Sequence, residues 1–570
     1  MGSDWWTYPN DAVPSEEFPI YSRGNVGEAF PSVISPMSGS LMLNASTRSQ
    51  TRFFLAAGAL SKSQVQDPRN AVFVQFGGYL YANVSMARIA AVRAPGMSVD
   101  DLDAQYSGVG VLPPYVARAG HRSISATLRL GRYASRGLRQ RDAERARVAQ
   151  QAVGAWVASL APADTAGDDE LIRRARCASS WFDRLLVEMM TVTLHAGAAR
   201  IVIERLTASA GEPDAANAIT SGLGGVASAG PAIALWELGR QVRQSDSLTK
   251  LFDTCGEELE RSLRSDPAAG EFVVAFDEFL RCFGFHGVDE LELSSPKWGT
   301  DPHSALRTVE RLRHAPAGRD PRDAAARLAE QRLDATERVA SRMRGPRRRL
   351  FHLVVRNAAL YAREREATKA ALVRALFESR RALNELAHRH GIDRDDIYLL
   401  VEHELEEALE HPMRFADAIA GRRELRAALQ QRQPPFWFER ELPHPSTWPP
   451  RAVAGSHADG GITRHQGLGV SAGIVTGRAR IILDPNEPGE LAADEILVAP
   501  QTDPAWTPLF LAARGVVVEY GAVMSHAAIV ARELGIPAVV GINGATTDIP
   551  TGAKLTVDGT SGVVTVDPLS

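Results

Sequence analysis

From about residue 125 to 430 the chain alternates apolar and charged positions at helical spacing, in long stretches rich in Ala, Leu, Arg and Glu. That pattern predicts an all-helical body, broken by the glycine-rich SGLGGVASAGP at 221–231 and by a loop at 283–303. Before it, residues 1–70 are mixed and turn-rich, and AVFVQFGGYLYANVS (71–85) reads as a strand pair turning at Gly77-Gly78. After it, residues 433–467 carry six prolines, a density that opposes regular structure and predicts a semi-stiff, flexible linker. Short β-rich runs follow (ARIIL, EILVAP, GVVVEY, AVVGI, KLTVDG and GVVTVD) with one helix among them. They predict a compact α/β domain over 468–570, tethered to a helical body over 1–432 that has a small N-terminal β part. The fold class expected is therefore multidomain α+β.

One helix stands out. It should run from about 347, after Gly345-Pro346, to His390-Gly391. At 100° per residue, Phe351, Val354, Ala358, Tyr361, Leu372, Leu376 and Leu383 share a narrow face. Arg365 and Lys369 fall inside that apolar stripe, while Arg363, Glu364 and Glu366 should point elsewhere. Cations on a buried stripe must meet an anion, snorkel past the core, or pair with carboxylates from another helix.

Composition narrows the class. A formal charge of -4 and a pI near 6.4 imply no general attraction to nucleic acid or to an anionic membrane. No apolar run was expected to approach the roughly 18 residues of a spanning helix. The first residues lack a basic segment followed by an apolar one, so no secretory signal is expected. Cys177, Cys255 and Cys282 are scattered, form no CxxC, and fit a reduced cytoplasmic setting.

The clearest chemistry lies in GVVVEYGAVMSHAAIVARELGIPAVVG (515–541). A buried strand ends at Glu519, Gly521 permits a turn, Ser525 suits an N-cap, and His526 opens the helix HAAIVAREL, which Gly535 and Pro537 stop. An imidazole at a helix start can act as a phosphoryl nucleophile, because the free amides and positive dipole end receive phosphate oxygens. On local pattern alone, an inert helix-start histidine reads as well. The segment closely resembles the mobile domain of enzymes that use or make phosphoenolpyruvate, such as phosphoenolpyruvate synthase and pyruvate phosphate dikinase. The matching residues are Gly521, Ser525-His526-Ala527-Ala528, Val530-Ala531-Arg532-Glu533 and Pro537-Ala538-Val539-Val540-Gly541, with Met524 where threonine is usual. The resemblance implies a swivelling domain phosphorylated on His526.

NVGEAFPSVISPM, FGGYLYANVS, FGFHGVDELELSSPKW, DDIYLLVEHEL and TDPAWTPLF resemble, in order, the acceptor-binding part of rifampicin phosphotransferase and its relatives. This resemblance implies that Arg365 and Lys369, in an Arg-Glu-x-x-Lys stretch, clamp the transferred phosphate. In FGFHGVDELEL, Phe285-His286 replaces the usual His-Arg, Glu290 matches, and Glu292 stands for Asp. His286 could deprotonate an acceptor hydroxyl with Glu290 orienting it, or the glutamates could simply cap neighbouring helices. Asn25 and Glu28 are weaker candidates for the same pocket.

The ATP-grasp phosphate-binding stretch of this class and the P-loop pattern are not found, nor is a β/α repeat long enough for a phosphoenolpyruvate barrel. The chain is therefore expected to bind no cofactor directly, and to receive phosphate, through ATP and Mg2+, from a separate ATP-grasp partner, as in the split system of phenylphosphate synthase. The expected acceptor is a small, largely apolar molecule with a hydroxyl or carboxyl. Two other functions fit the same residues: a lyase or cyclase in which the phosphorylated intermediate eliminates phosphate, and a non-enzymatic phosphocarrier or regulator.

Overall fold

A computed structural model describes residues 6–24, 26–106, 112–315, 317–451, 463–485, 491–492, 494–521 and 525–567. Helix dominates, with a four-stranded and an eight-stranded sheet among the described residues. The chain forms two compact units: residues 1–202, 291–294 and 356–452 make the first, and 203–290, 295–355 and 453–570 the second. The expected division into 1–432 and 468–570 differs, since 203–290 and 295–355 cluster with the C-terminal residues.

In the first unit, β1 (Ile20–Ser22), β2 (Phe73–Phe76), β3 (Tyr79–Asn83) and β4 (Trp437–Glu439) pair in the order β2-β3-β1-β4. Gly77 and Gly78, at φ 54° and 75°, form the predicted hairpin turn. Two consecutive positive φ angles suit the twist of a two-residue hairpin and favour glycine there. Tyr21, Phe76, Tyr79, Tyr81 and Phe438 pack with Leu425, Leu429 and Trp448 into the core beside this sheet. The helix Pro36–Ala57 begins with Ser35 as N-cap, its side chain accepting from the Ser38 amide, and ends at Gly58 in the left-handed conformation.

The proline-rich stretch is not the free linker expected, at least as far as Arg451. Phe438 pairs with Tyr21, Arg432 bridges to Pro450, and the Arg451 amide donates to Gln431. Pro445 starts the 3-10 turn Pro445–Thr447, where a missing amide costs nothing, the other prolines lie outside helices and named strands, and Phe438 and Trp448 anchor the segment in the core. Residues 452–462 lie outside the described set.

The expected long helix spans Gly345–Arg389, and Phe351, Val354, Ala358, Tyr361, Leu372, Leu376 and Leu383 are all buried along it. A second long helix, Asp168–Ser209, is long and apolar enough to cross a membrane by length and composition only, a test that core helices also pass. Its Glu188, Thr191 and His195 make polar contacts with Arg145, Tyr133 and Asp142 in the first unit. Lipid would leave such groups unsatisfied.

The second unit contains β5 (Thr463–Gln466), β6 (Leu468–Ser471), β7 (Ile474–Ile481), β8 (Glu495–Ala499), β9 (Gly515–Val518), β10 (Ala538–Val540), β11 (Lys554–Asp558) and β12 (Val563–Val566). Their order is β5-β12-β11-β7-β8-β9-β10-β6, with β7, β8, β9 and β10 parallel. Both faces are covered, which explains the unbroken hydrophobic runs of β8 and β9. Leu497, Val516 and Val518 face a core that includes Leu235, Trp236, Phe272, Phe276 and Val309 from the helices of this unit. Ile496, Val498 and Val517 face the opposite cluster, with Leu555, Val557 and Val564.

Candidate functional site

The parallel strand β9 delivers the chain to the edge where its carboxyl end meets a helix, a recurrent place for chemistry in α/β sheets. The helix His526–Leu534 starts and stops as its sequence dictates. Ser525 is the N-cap, its Oγ accepting from the Ala528 amide at 3.2 Å, and Gly535 closes the other end at φ 66°. His526 is therefore the first helical residue, and its ring is 6% exposed. Its Nδ1 lies 3.2 Å from Thr502 Oγ1. When Nδ1 carries the proton and donates to Thr502, Nε2 keeps its lone pair and becomes the nucleophilic nitrogen. Glu519, at the end of β9, accepts from the amide and the hydroxyl of Thr546, the latter at 2.6 Å. Residues 522–524, including Met524, fall outside the described set.

The helix is tied down at its far end as well. The Glu533 carboxylate accepts the amides of Leu223 (3.0 Å) and Gly224 (3.2 Å) in the glycine-rich break, and Arg532 Nε donates to the Val470 carbonyl at 2.7 Å.

The loop after the helix Gly270–Phe283 belongs in part to the same unit. His286 and Glu290 are 4% and 5% exposed, and His286 Nδ1 meets Glu290 Oε1. Phe285 stacks at 4.2 Å from the His286 ring, and Phe283 and Trp298 flank it at 6.5 and 6.1 Å. The backbone is pinned by the His286 amide on Phe283, the Trp298 amide on His286, and Lys297 Nζ on the carbonyls of Val288 and Asp289. Asp289 adopts φ 49°, which turns its amide onto Asp503 Oδ2 at 2.9 Å.

Asp503 joins the two groups. It follows Thr502 in the chain, and its other oxygen accepts the Ala505 amide at 2.9 Å. Burial pushes its carboxyl up to about 8, and the negative charges of Glu290 and Asp289 push the same way, against the two amide hydrogen bonds. A carboxyl that holds its proton near neutrality thus sits between the His526 contact and the His286–Glu290 pair. Sequence reading missed it. TDPAWTPLF was noticed only as a resemblance, and nothing local in it announces the depth of Asp503.

The first unit holds the other candidates. Arg365 is 9% exposed and Lys369 half-buried on the Gly345–Arg389 helix. Arg365 Nη2 pairs with Glu366 Oε1 at 2.9 Å. This corrects the expectation that Glu366 points away: its carboxylate is itself buried, and satisfies the guanidinium from the adjacent position. Glu364 is also buried, taking Arg147 Nε at 2.7 Å, whereas Arg363 is exposed as expected. Glu292 is a capping residue. Its Oε1 accepts from the hydroxyls of Ser35 (2.6 Å) and Ser38 (2.8 Å) and the Ser294 amide, and its Oε2 from the Ser35 amide. Burial raises its carboxyl, but Arg426 and these hydrogen bonds outweigh that and hold it below the ordinary range. Asn25 lies outside the described residues, and Glu28 is in the short helix Val26–Ala29.

The structure therefore gathers His526, His286 and Glu290 in one unit, and places Arg365 and Lys369 in the other. Among the described residues, no group of three or more His, Cys, Asp or Glu side chains is arranged to hold a metal ion.

Residues 188–366 match the rifampicin phosphotransferase fourth domain, and residues 491–562 the mobile domain of PEP-utilising enzymes. A rifampicin phosphotransferase from a Streptomyces species is 33% identical over 316 residues, covering 52% of this chain and 35% of that protein. A prodigiosin synthesizing transferase of Serratia marcescens is 31% identical over 370 residues, 59% of this chain and 38% of that protein. An uncharacterized phosphotransferase of Bacillus subtilis is 28% identical over 345 residues, 58% of this chain and 41% of its own length. The chain thus spans well under half the length of these relatives.

Proposed function

From a chain that carries two domains of the PEP-utilising enzyme family and is rifampicin phosphotransferase-like, we infer a phosphotransferase in which His526 carries the phosphoryl group. The observation that carries this reading is the placement of His526. It opens a capped helix with Nδ1 engaged by Thr502, and through Asp503 that contact adjoins the loop bearing His286 and Glu290.

In the proposed cycle a separate ATP-grasp protein transfers phosphate from ATP, with Mg2+, to Nε2 of His526. Nε2, unprotonated when Nδ1 donates to Thr502, attacks phosphorus, and the nucleotide leaves with the electron pair of the broken P–O bond. Because His526 is 6% exposed, loading requires the region around 468–570 to leave the helices it packs against within its own unit. On delivery, the acceptor oxygen attacks phosphorus, the N–P bond breaks, and the imidazole keeps the electron pair. His286, oriented through Nδ1 by Glu290, takes the hydroxyl proton on its other nitrogen. The rings of Phe283, Phe285 and Trp298 around His286 favour a largely apolar acceptor. Arg365 and Lys369 are proposed to neutralise the transferring group, with Glu366 fixing the guanidinium plane.

Incubation with the ATP-grasp partner and γ- or β-labelled ATP tests the carrier step. An acid-labile, base-stable label should appear on the wild-type chain and be absent from His526→Ala. Labelling of His526→Ala at the wild-type level would refute the assignment. Arg365→Ala and Lys369→Ala should retain the label but discharge it slowly to acceptor, and normal discharge would remove the clamp.

A further inference from the structure

Residues before 188 lie outside both family matches, and part of that segment lines a pocket, open to solvent, in the first unit. Its volume is about 510 Å3, and its charged lining is Arg93, Arg118, Arg122 and Arg129, with the His121 imidazole beside them and Glu17 as the one carboxylate among the described residues. Four guanidinium groups on so small a concave surface repel one another unless an anion sits among them.

The walls are built, not incidental. Arg93 is 5% exposed and spends its donors on the carbonyls of Ala59 (2.7 Å), Gly120 (2.7 Å) and His121 (2.9 Å) and on Gln64 Oε1 (3.0 Å). It thereby fastens the 120–121 turn to the end of the Pro36–Ala57 helix while keeping its charge. Arg129 lies against Gly58, where a Cβ would come within 2.7 Å of the Arg129 Cβ, so the glycine that caps that helix also admits the arginine stem. Ser123 caps the helix Ile124–Ser135, and Ser123 and Ala126 line the cavity, adding the positive end of a three-turn helix.

The charges show their mutual strain. Burial pushes the Arg93 guanidinium down, and Arg129 pushes it further. Burial, then Arg118 and Arg93, hold the His121 imidazole below its usual range, with Tyr115 Oη 2.8 Å from its Nδ1. Among the described residues Arg118, Arg122 and Arg129 form no ion pair. Guanidinium forks match phosphate oxygens in pairs, and the volume lies in the range of small-ligand sites.

We propose that this cavity binds a small diphosphate-bearing anion, either free pyrophosphate or the diphosphate of a nucleotide. It is built from residues other than those assigned to phosphoryl transfer, and the proposal does not rest on that assignment.

Calorimetric titration of the full chain with pyrophosphate, ADP and sulfate at matched ionic strength tests it. Pyrophosphate or ADP should bind saturably at one site, and at least about tenfold more tightly than sulfate, since each lost charge-assisted contact is worth about tenfold or more in affinity. Arg122→Gln and Arg129→Gln, both exposed and therefore compatible with folding, should each weaken binding about tenfold. ADP much tighter than pyrophosphate identifies a nucleotide site, and equal affinity identifies the diphosphate itself. No saturable binding at low-millimolar concentration, equal binding of sulfate, or binding indifferent to both substitutions would each overturn the proposal.

Discussion

Asp503→Asn is the most incisive perturbation of the candidate site. The wild-type carboxyl is shifted from 3.8 to about 8, first by burial and then by Glu290 and Asp289. Between those values the folded chain holds a proton that the unfolded chain releases. Stability therefore falls as pH rises, by about 1.4 kcal/mol per pH unit for a single group, and the fall ceases above the folded value. Asn keeps the shape and an acceptor oxygen for the Asp289 or Ala505 amide, but it cannot ionise. The difference in unfolding free energy between wild type and Asp503→Asn should thus move in favour of the variant by about 2 kcal/mol from pH 6 to 7.5. Urea titrations of both proteins at several pH values, followed at a tryptophan signal, read this directly, since titrating groups not coupled to Asp503 cancel in the difference. Parallel pH profiles would refute the buried, protonated state of Asp503.

Two further substitutions probe neighbouring statements. Glu292→Ala strands the amides of Ser35 and Ser294 and two serine hydroxyls, so it should destabilise the first unit by about 3 kcal/mol in chemical denaturation at pH 7. Because the folded Glu292 carboxyl titrates below its ordinary range, this gap should narrow as the pH falls through that range; a loss under about 1 kcal/mol would contradict the capping role. Thr502→Val preserves the β-branched shape but removes the hydroxyl from His526 Nδ1, and should slow initial labelling of His526 about tenfold while leaving the thermal midpoint nearly unchanged. An unchanged labelling rate would show that Thr502 does not set the ring's tautomer.

What the sequence made legible was local. The His526 helix, its Ser525 cap and its Gly535 stop follow from short-range capping rules, and the structure reproduces each. The Gly77-Gly78 turn and the Gly345–Arg389 helix were readable for the same reason. What escaped depends on partners far along the chain. Phe438 becomes part of a strand only because Tyr21 offers an edge more than 400 residues earlier, and no period-2 pattern surrounds it. Asp503 owes its raised carboxyl first to burial and then to the charges of Glu290 and Asp289, more than 200 residues earlier, and the Glu366 carboxylate, outward by helical angle, folds back onto Arg365. Angular position on a helix gives where a side chain leaves the backbone, not where a long one ends.

The pairing of β1 with β4 bears on how the chain is made. As synthesis proceeds from the amino end, Tyr21 must wait for Phe438 to emerge before its aromatic cluster can close. Until then the early strands and helices of that unit expose apolar surface on the ribosome. Every residue of the second unit from 203 to 355 emerges during this delay. Translation that stalls just short of Trp437 should therefore leave a fragment that chaperones retain, although every other strand of that sheet has already emerged.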